Sequence, residues 1–149
     1  MDLRGLLAIE VKVRPVVDLG GGRRYVPFDG GTFSGRDRLA GVAGVVLDGG
    51  VDWQVERPDG VVEIDAHYAL RTTGDEAVEV RSTGIRKASP EVVERIARGE
   101  DVAPDEYYFR THIRLTTAAP RLSWLNDLIA VSTGQRARDV VRIDVHEVC

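Results

Sequence analysis

The sequence predicts a mainly β fold, an antiparallel meander whose first and last strands can pair to close a barrel. Three observations carry this. Residues 9–14, Ile-Glu-Val-Lys-Val-Arg, alternate apolar and charged side chains with period two, and residues 141–146, Val-Arg-Ile-Asp-Val-His, repeat the pattern near the other terminus. Sixteen glycines punctuate the chain at short intervals. The segments between them are rich in Val, Ile, Tyr and Thr, which suit a pleated, half-buried surface better than a helix. Pairing the terminal strands removes the exposed edges that an open sheet must otherwise protect.

Between the terminal strands, further strands are expected near residues 24–28, 31–34, 41–47, 52–57, 61–72, 77–82, 107–116 and 124–133. Arg57-Pro58-Asp59-Gly60 reads as a tight hairpin turn, proline presetting φ and glycine accepting a positive φ. Leu47-Asp48-Gly49-Gly50 and Thr73-Gly74-Asp75 serve as turns elsewhere. One helix stands out. Ser89 is its N-cap, Pro90 suits its first position, Glu91 complements the positive end of the dipole and Gly99 ends it. Val92, Val93, Ile96 and Ala97 form an apolar stripe opposite Glu94, Arg95 and Arg98, so this helix should lie on the barrel or plug one end.

The 149 residues, 43% hydrophobic and 30% charged, suit one globular domain spanning residues 1–149, with no internal repeat and no linker. A net charge of -4 without a basic stripe argues against nucleic acid as a partner. No apolar run reaches the roughly 18 residues of a membrane span, and residues 1–9 do not read as a signal peptide. The one cysteine, Cys149, cannot form an intramolecular disulfide, so a cytoplasmic location is expected.

Candidate chemistry lies on the strands after Gly50. On residues 64–71, Asp65, His67 and Arg71 share one face and Ile64, Ala66, Tyr68 and Leu70 share the other. The polar set fits a solvated outer face, or else a polar lumen in which Asp65 and His67 exchange protons with a ligand. His67 titrates near ~6.5 when unperturbed, and Asp65 would need partial burial to become a useful acid or base. On residues 106–112, Tyr108, Arg110 and His112 oppose Tyr107, Phe109 and Thr111. A tyrosine beside an arginine can bind a carboxylate or hold an enolate, or simply form a structural ion pair, because arginine inside a small barrel costs desolvation. Trp53, flanked by Asp52 and Gln54, and Trp124, followed by Leu125 and Asn126, read as core or barrel-lining residues that can also stack on a ligand. Asn126 can orient a carbonyl or satisfy backbone groups.

No metal site is expected, because His67, His112 and His146 show no His-x-His or His-Glu-x-x-His spacing. Neither glycine cluster, residues 20–22 or 29–35, has the Gly-Lys-Ser/Thr ending of a phosphate loop. There is no Gly-x-Ser-x-Gly elbow, and Cys149 at a terminus makes a poor nucleophile.

Several blocks in order also resemble the bacterial and fungal family of unknown function DUF3237, also called UPF0311. They are Gly30-Gly31-Thr32-Phe33-Ser34-Gly35, Gly49-Gly50-Val51-Asp52-Trp53-Gln54, residues 65–72 (Asp-Ala-His-Tyr-Ala-Leu-Arg-Thr), Tyr107-Tyr108-Phe109-Arg110-Thr111, Pro120, Trp124-Leu125-Asn126 and Gly134. The resemblance implies a closed antiparallel barrel of about eight to ten strands, no cofactor and no settled general reaction. The chain departs from the family pattern at Thr116, where an acidic residue is usual, and at His67, where arginine is usual. Both positions are expected to touch the lumen.

The leading expectation is a cofactor-independent enzyme, in secondary metabolism, acting on a small carbonyl-containing or polycyclic substrate. Proton transfer would drive isomerisation, cyclisation, dehydration or addition. Asp65 would be the acid or base and His67 its partner, with Arg110 and Tyr108 holding an oxyanion or carboxylate. Trp53 and Trp124 would shape the apolar wall, and Asp52 and Asn126 would orient polar groups. Two alternatives stand beside it. A non-catalytic barrel that binds a small hydrophobic ligand needs only apolar walls and a polar anchor. A homo-oligomeric structural protein would have a dry, filled interior.

Overall fold

The computed structural model describes residues 1–149 and resolves the alternation into ten strands. They are β1 (Leu3–Val13), β2 (Val17–Gly20), β3 (Arg23–Gly35), β4 (Ala43–Val46), β5 (Val51–Glu56), β6 (Val62–Thr72), β7 (Ala77–Lys87), β8 (Tyr108–Thr116), β9 (Ala130–Arg136) and β10 (Val140–Val148). One α-helix, α1 (Pro90–Ala97), and three short 3-10 segments complete the chain. No helix is long and apolar enough to cross a membrane.

β1 is antiparallel to β10 on one side and to β3 on the other, which closes the sheet. Round the barrel the order is β1, β10, β9, β8, β7, β6, then β4 and β5 together, then β3. β4 and β5 form one interrupted stave. Both lie between β3 and β6, β4 against Gly31 to Ser34 and β5 against Arg23 to Pro27. The interruption is the Asp48-Gly49-Gly50 turn. β2 pairs only with the start of β3 and projects beyond the barrel as a hairpin arm.

Two local expectations need correction, and one strand was not expected. Residues 24–28 and 31–34 belong to one strand, β3, bent at Gly30 and Gly31. Gly31 has a φ of +145°, and a Cβ there would lie 2.0 Å from the Glu10 carbonyl oxygen, so only glycine lets β1 and β3 approach. Residues 124–133 divide into a 3-10 segment, Pro120–Asp127, and the strand β9. Pro120 starts that helical segment, and no period-two alternation runs through Trp124-Leu125-Asn126 to hold it in a sheet. β2 has no counterpart among the expected strands, because all four of its residues are exposed and carry no buried face.

The punctuation otherwise acts as its chemistry requires. The Arg57 N–H donates to the Val61 carbonyl at 2.9 Å across the hairpin, with Gly60 at a φ of +84°. In the next turn the positive φ falls on Asp75 rather than on Gly74. Ser89 Oγ accepts the Val92 N–H at 3.2 Å and caps α1, and Gly99 takes a φ of +76° just beyond its end.

The two ends of the barrel differ. One is sealed by aliphatic packing: Leu70, Val80, Ile113, Leu115 and Val145 fill it, and Leu122 and Leu125 of the 3-10 segment close it together with Leu128, the residue after it. Each fully buried leucine or isoleucine there contributes roughly 2–3 kcal/mol. The opposite end is roofed by a smaller cluster in which Val92 of α1 joins Val62, Ile64, Val102, Tyr107 and Phe109. That end carries the polar residues.

Candidate functional site

At the roofed end, polar side chains occupy strand positions whose parity is otherwise apolar. β7 turns Val78 and Val80 inward and then Ser82 and Arg86. β8 inserts Thr111 between Phe109 and Ile113, and β9 follows Ala130 with Ser132 and Arg136. β5 supplies Asp52 and Gln54. The polar residues among these line an inner chamber of about 30 Å³, enough for a water molecule. Above it a mouth of about 360 Å³ opens between Arg24, Arg136, Arg138 and the α1 residues Val93 and Ile96. Val26, Gln54, Arg86 and Arg136 line both spaces and so join them.

Asp52 is 8% exposed. Its Oδ2 accepts from Gln54 Nε2 at 2.7 Å, and its Oδ1 accepts from the backbone N–H of Asp65 at 3.2 Å. Gln54 is itself oriented by Arg24, whose Nε donates to Gln54 Oε1 at 2.9 Å. Because a guanidinium only donates, Gln54 must turn its oxygen to Arg24 and its amino group to Asp52. Burial pushes the Asp52 carboxyl up to about 6, against the downward pull of the Gln54 and Asp65 donors and of the Arg86 charge. Burial likewise brings Arg86 down to about 10, helped by repulsion from Arg24 and Arg136, and burial lowers Arg136 too. Neither the Arg86 nor the Arg136 guanidinium hydrogen-bonds a carboxylate.

Two further features lie at or near the chamber. Ser82 Oγ donates to Thr111 Oγ1 at 2.8 Å, and Thr111 and Ser132 hydroxyls lie 2.6 Å apart, so a ladder of buried hydroxyls crosses β7, β8 and β9. The Tyr68 hydroxyl is buried without a partner, and burial together with the Asp52 charge holds its phenol well above the usual range.

The structure separates the residues that sequence reasoning grouped. Asp65 and His67 lie on the outer face of β6. Arg81 grips Asp65 with a two-pronged contact at 2.7 and 3.0 Å, and His67 faces Glu79 at 3.1 Å. The lumen placement of this pair is therefore corrected: β6 turns Ile64, Ala66, Tyr68 and Leu70 inward, since an all-apolar face is the one that burial favours. Tyr108 and Arg110 are also outside, with the guanidinium 5.2 Å from the ring and donating to the Phe109 carbonyl. Trp53 is 52% exposed and leans on Tyr25. Trp124 packs at the sealed end under Arg38, whose guanidinium lies 3.9 Å from the ring centroid. Asn126 braces the same segment, accepting from Thr117 N–H at 2.8 Å and donating to the Thr117 carbonyl at 3.0 Å. Of the residues proposed for the site, Asp52 alone points into the polar chamber.

A family model described as "Protein of unknown function (DUF3237)" matches residues 1–148. The chain belongs to the DUF3237 family. A UPF0311 protein of Rhodopseudomonas palustris is 35% identical over 99% of this chain and 97% of its own. The crystal structure of that conserved protein of unknown function superposes with a TM-score of 0.92, at the same coverage. A β-barrel-like protein from Acinetobacter baumannii is 33% identical, covering 98% of this chain and 94% of its own, with a TM-score of 0.81. An enzyme from Penicillium herquei shares the fold at a TM-score of 0.67 and 17% identity, over 97% of this chain and 93% of its own.

The sequence blocks that resemble the DUF3237 family fall at both ends of the barrel. Asp52 and Gln54 belong to the chamber, whereas Pro120, Trp124, Leu125 and Asn126 belong to the sealed end. Gly134 is a packing device. A Cβ there would sit 2.7 Å from the Phe109 ring, so its absence lets that ring roof the chamber. His67 and Thr116, expected to touch the lumen, are both exposed.

Proposed function

We propose that this DUF3237 chain is a cofactor-independent acid–base enzyme acting on a small carbonyl-containing or polycyclic molecule held in the roofed mouth. The observation that carries this reading is Asp52, a buried carboxylate brought up to about 6 in the polar chamber onto which the ligand-sized mouth opens, with Arg86 lining both spaces. Asp52 takes a proton from carbon or hydroxyl next to the substrate carbonyl. Arg86 balances the negative charge that develops on oxygen, and Asp52 returns the proton at another atom. Isomerisation, cyclisation, dehydration and addition all share this first step. Asp52 replaces Asp65 as the acid–base group, and Arg86 and Arg136 replace Arg110 as the oxyanion holder. We place the activity in cytoplasmic secondary metabolism.

The Penicillium herquei protein is described as an enzyme, and its likeness concerns the fold. The ligand-carrier reading draws support from the apolar part of the chamber wall, Val13, Phe28, Phe109 and Ile143. It does not call for a carboxylate with a raised proton affinity. The test is deuterium exchange at the α-carbon of a panel of aryl ketones and β-diketones, followed by NMR. Wild-type protein should accelerate exchange of at least one compound, and Asp52→Asn should abolish that acceleration while melting cooperatively. Binding of the panel without any exchange would replace the enzyme with the carrier.

A further inference from the structure

The charge of the mouth is opposite to that of the chain. The protein carries a net -4, yet Arg24, Arg86, Arg98, Arg136 and Arg138 line this one opening and Glu56 is the single acidic side chain among its lining residues. Part of that charge is already spoken for: Arg24 is bonded to Gln54 and Glu56, and Arg98 lies against Glu94 and Glu100. Arg86 and Arg136 are different. They stand half-buried where the mouth meets the chamber, close enough to repel each other, and neither hydrogen-bonds a carboxylate. The Asp52 carboxylate near them is engaged by Gln54 and the Asp65 N–H.

Placing two half-buried guanidinium groups near each other is costly unless an anion joins them. Their planar donor forks match a carboxylate, an enolate or a phenolate better than a spherical ion. The apolar lining supplies the other half of the recognition. Val26, Val62, Val93 and Ile96 line the same mouth, with Val62 the cross-strand neighbour of Arg86.

We infer that Arg86 and Arg136 form an anion subsite, and that the ligand of this barrel is an aromatic or polycyclic molecule bearing a carboxylate, enolate or phenolate. The anionic group lies between the two guanidinium groups, and the ring system rests on the α1 wall. This deepens the proposed function by naming its substrate class, and it rests on the same mouth being the functional site.

The probes are cinnamate, its neutral isostere cinnamamide, and acetate, measured by calorimetry on the full chain. Cinnamate should bind more than fivefold tighter than cinnamamide and than acetate, and its affinity should fall as chloride rises. Arg86→Met and Arg136→Met should each weaken cinnamate more than fivefold with little effect on cinnamamide. Arg136→Lys keeps the charge and guards against loss of folding; it should retain part of the preference. Failure of cinnamate to bind, or a cinnamate-to-cinnamamide ratio below fivefold in wild-type protein, overturns the subsite. Asp52→Asn separates the two proposals, because removing a nearby negative charge should leave cinnamate binding intact or tighter. Anion binding with no Asp52-dependent exchange retires the enzyme and keeps the subsite, whereas exchange of neutral ketones without anion preference does the reverse.

Discussion

The backbone N–H of Asp65 donates to Asp52 Oδ1 at 3.2 Å, while the Asp65 carboxylate, on the other side of the same strand, is gripped by Arg81. One residue thus serves the chamber with its main chain and the outer surface with its side chain. Asp65→Asn leaves the N–H in place and disturbs only a pair whose side chains are about half exposed, 52% for Arg81 and 47% for Asp65. It should change stability by less than about 1 kcal/mol. It should also leave exchange activity and cinnamate binding unchanged; a loss comparable to that of Asp52→Asn would return the catalytic role to Asp65.

Stability should depend on pH through Asp52. Its folded value is raised to about 6 from an unfolded value of 3.8, so between these values the folded protein holds a proton that the unfolded chain has released. Stability from this group is therefore greatest at low pH and falls as pH rises through the window, by roughly 3 kcal/mol in all. Asp52→Asn removes this slope. In chemical denaturation from pH 4 to pH 8, the variant should gain on wild type across the window and keep a constant difference above it. Activity runs the other way for a base: exchange should rise as pH passes about 6.

The hydroxyl ladder provides a stability test independent of charge. Thr111→Val removes the acceptor of Ser82 and the partner of Ser132, leaving two buried hydroxyls unmatched. The expected cost is about 1–3 kcal/mol, and Thr111→Ser should restore most of it. Equal losses for both variants would show that the methyl group, not the hydroxyl, supports this wall.

Gly134→Ala should be strongly destabilising although alanine is the smallest addition. Its Cβ would press within 2.7 Å of the Phe109 ring, inside a closed wall that cannot part locally. A cost of about 1–3 kcal/mol follows from overpacking. Phe109→Leu in the same chain should relieve part of it, which a double-mutant cycle of thermal melts would read.

The sequence made the strands, the capped helix and the closing pair of terminal strands legible, because period-two patterning and turn chemistry are local signals. Parity alone is silent on direction. Asp65, His67 and Arg71 share a face under either placement, and only the all-apolar opposite face, Ile64, Ala66, Tyr68 and Leu70, shows which way β6 turns. The useful signal was the exception within an apolar face. Ser82 and Arg86 share the parity of Val78 and Val80, and Thr111 shares that of Phe109 and Ile113. Such intrusions are costly in a filled core, so they mark where the interior ceases to be one. The composition around Trp124 and Asn126 suits a strand, yet the decisive feature is Pro120, which starts a 3-10 segment.

The interrupted stave formed by β4 and β5 suggests how this architecture can diversify. β4 serves the aliphatic plug and β5 serves the guanidinium-lined opening, with a glycine turn between them that decouples one from the other. A lineage, or an engineer, can rewrite the rim residue by residue while the plug goes on holding the cylinder shut, so new selectivities need not be traded against the integrity of the scaffold.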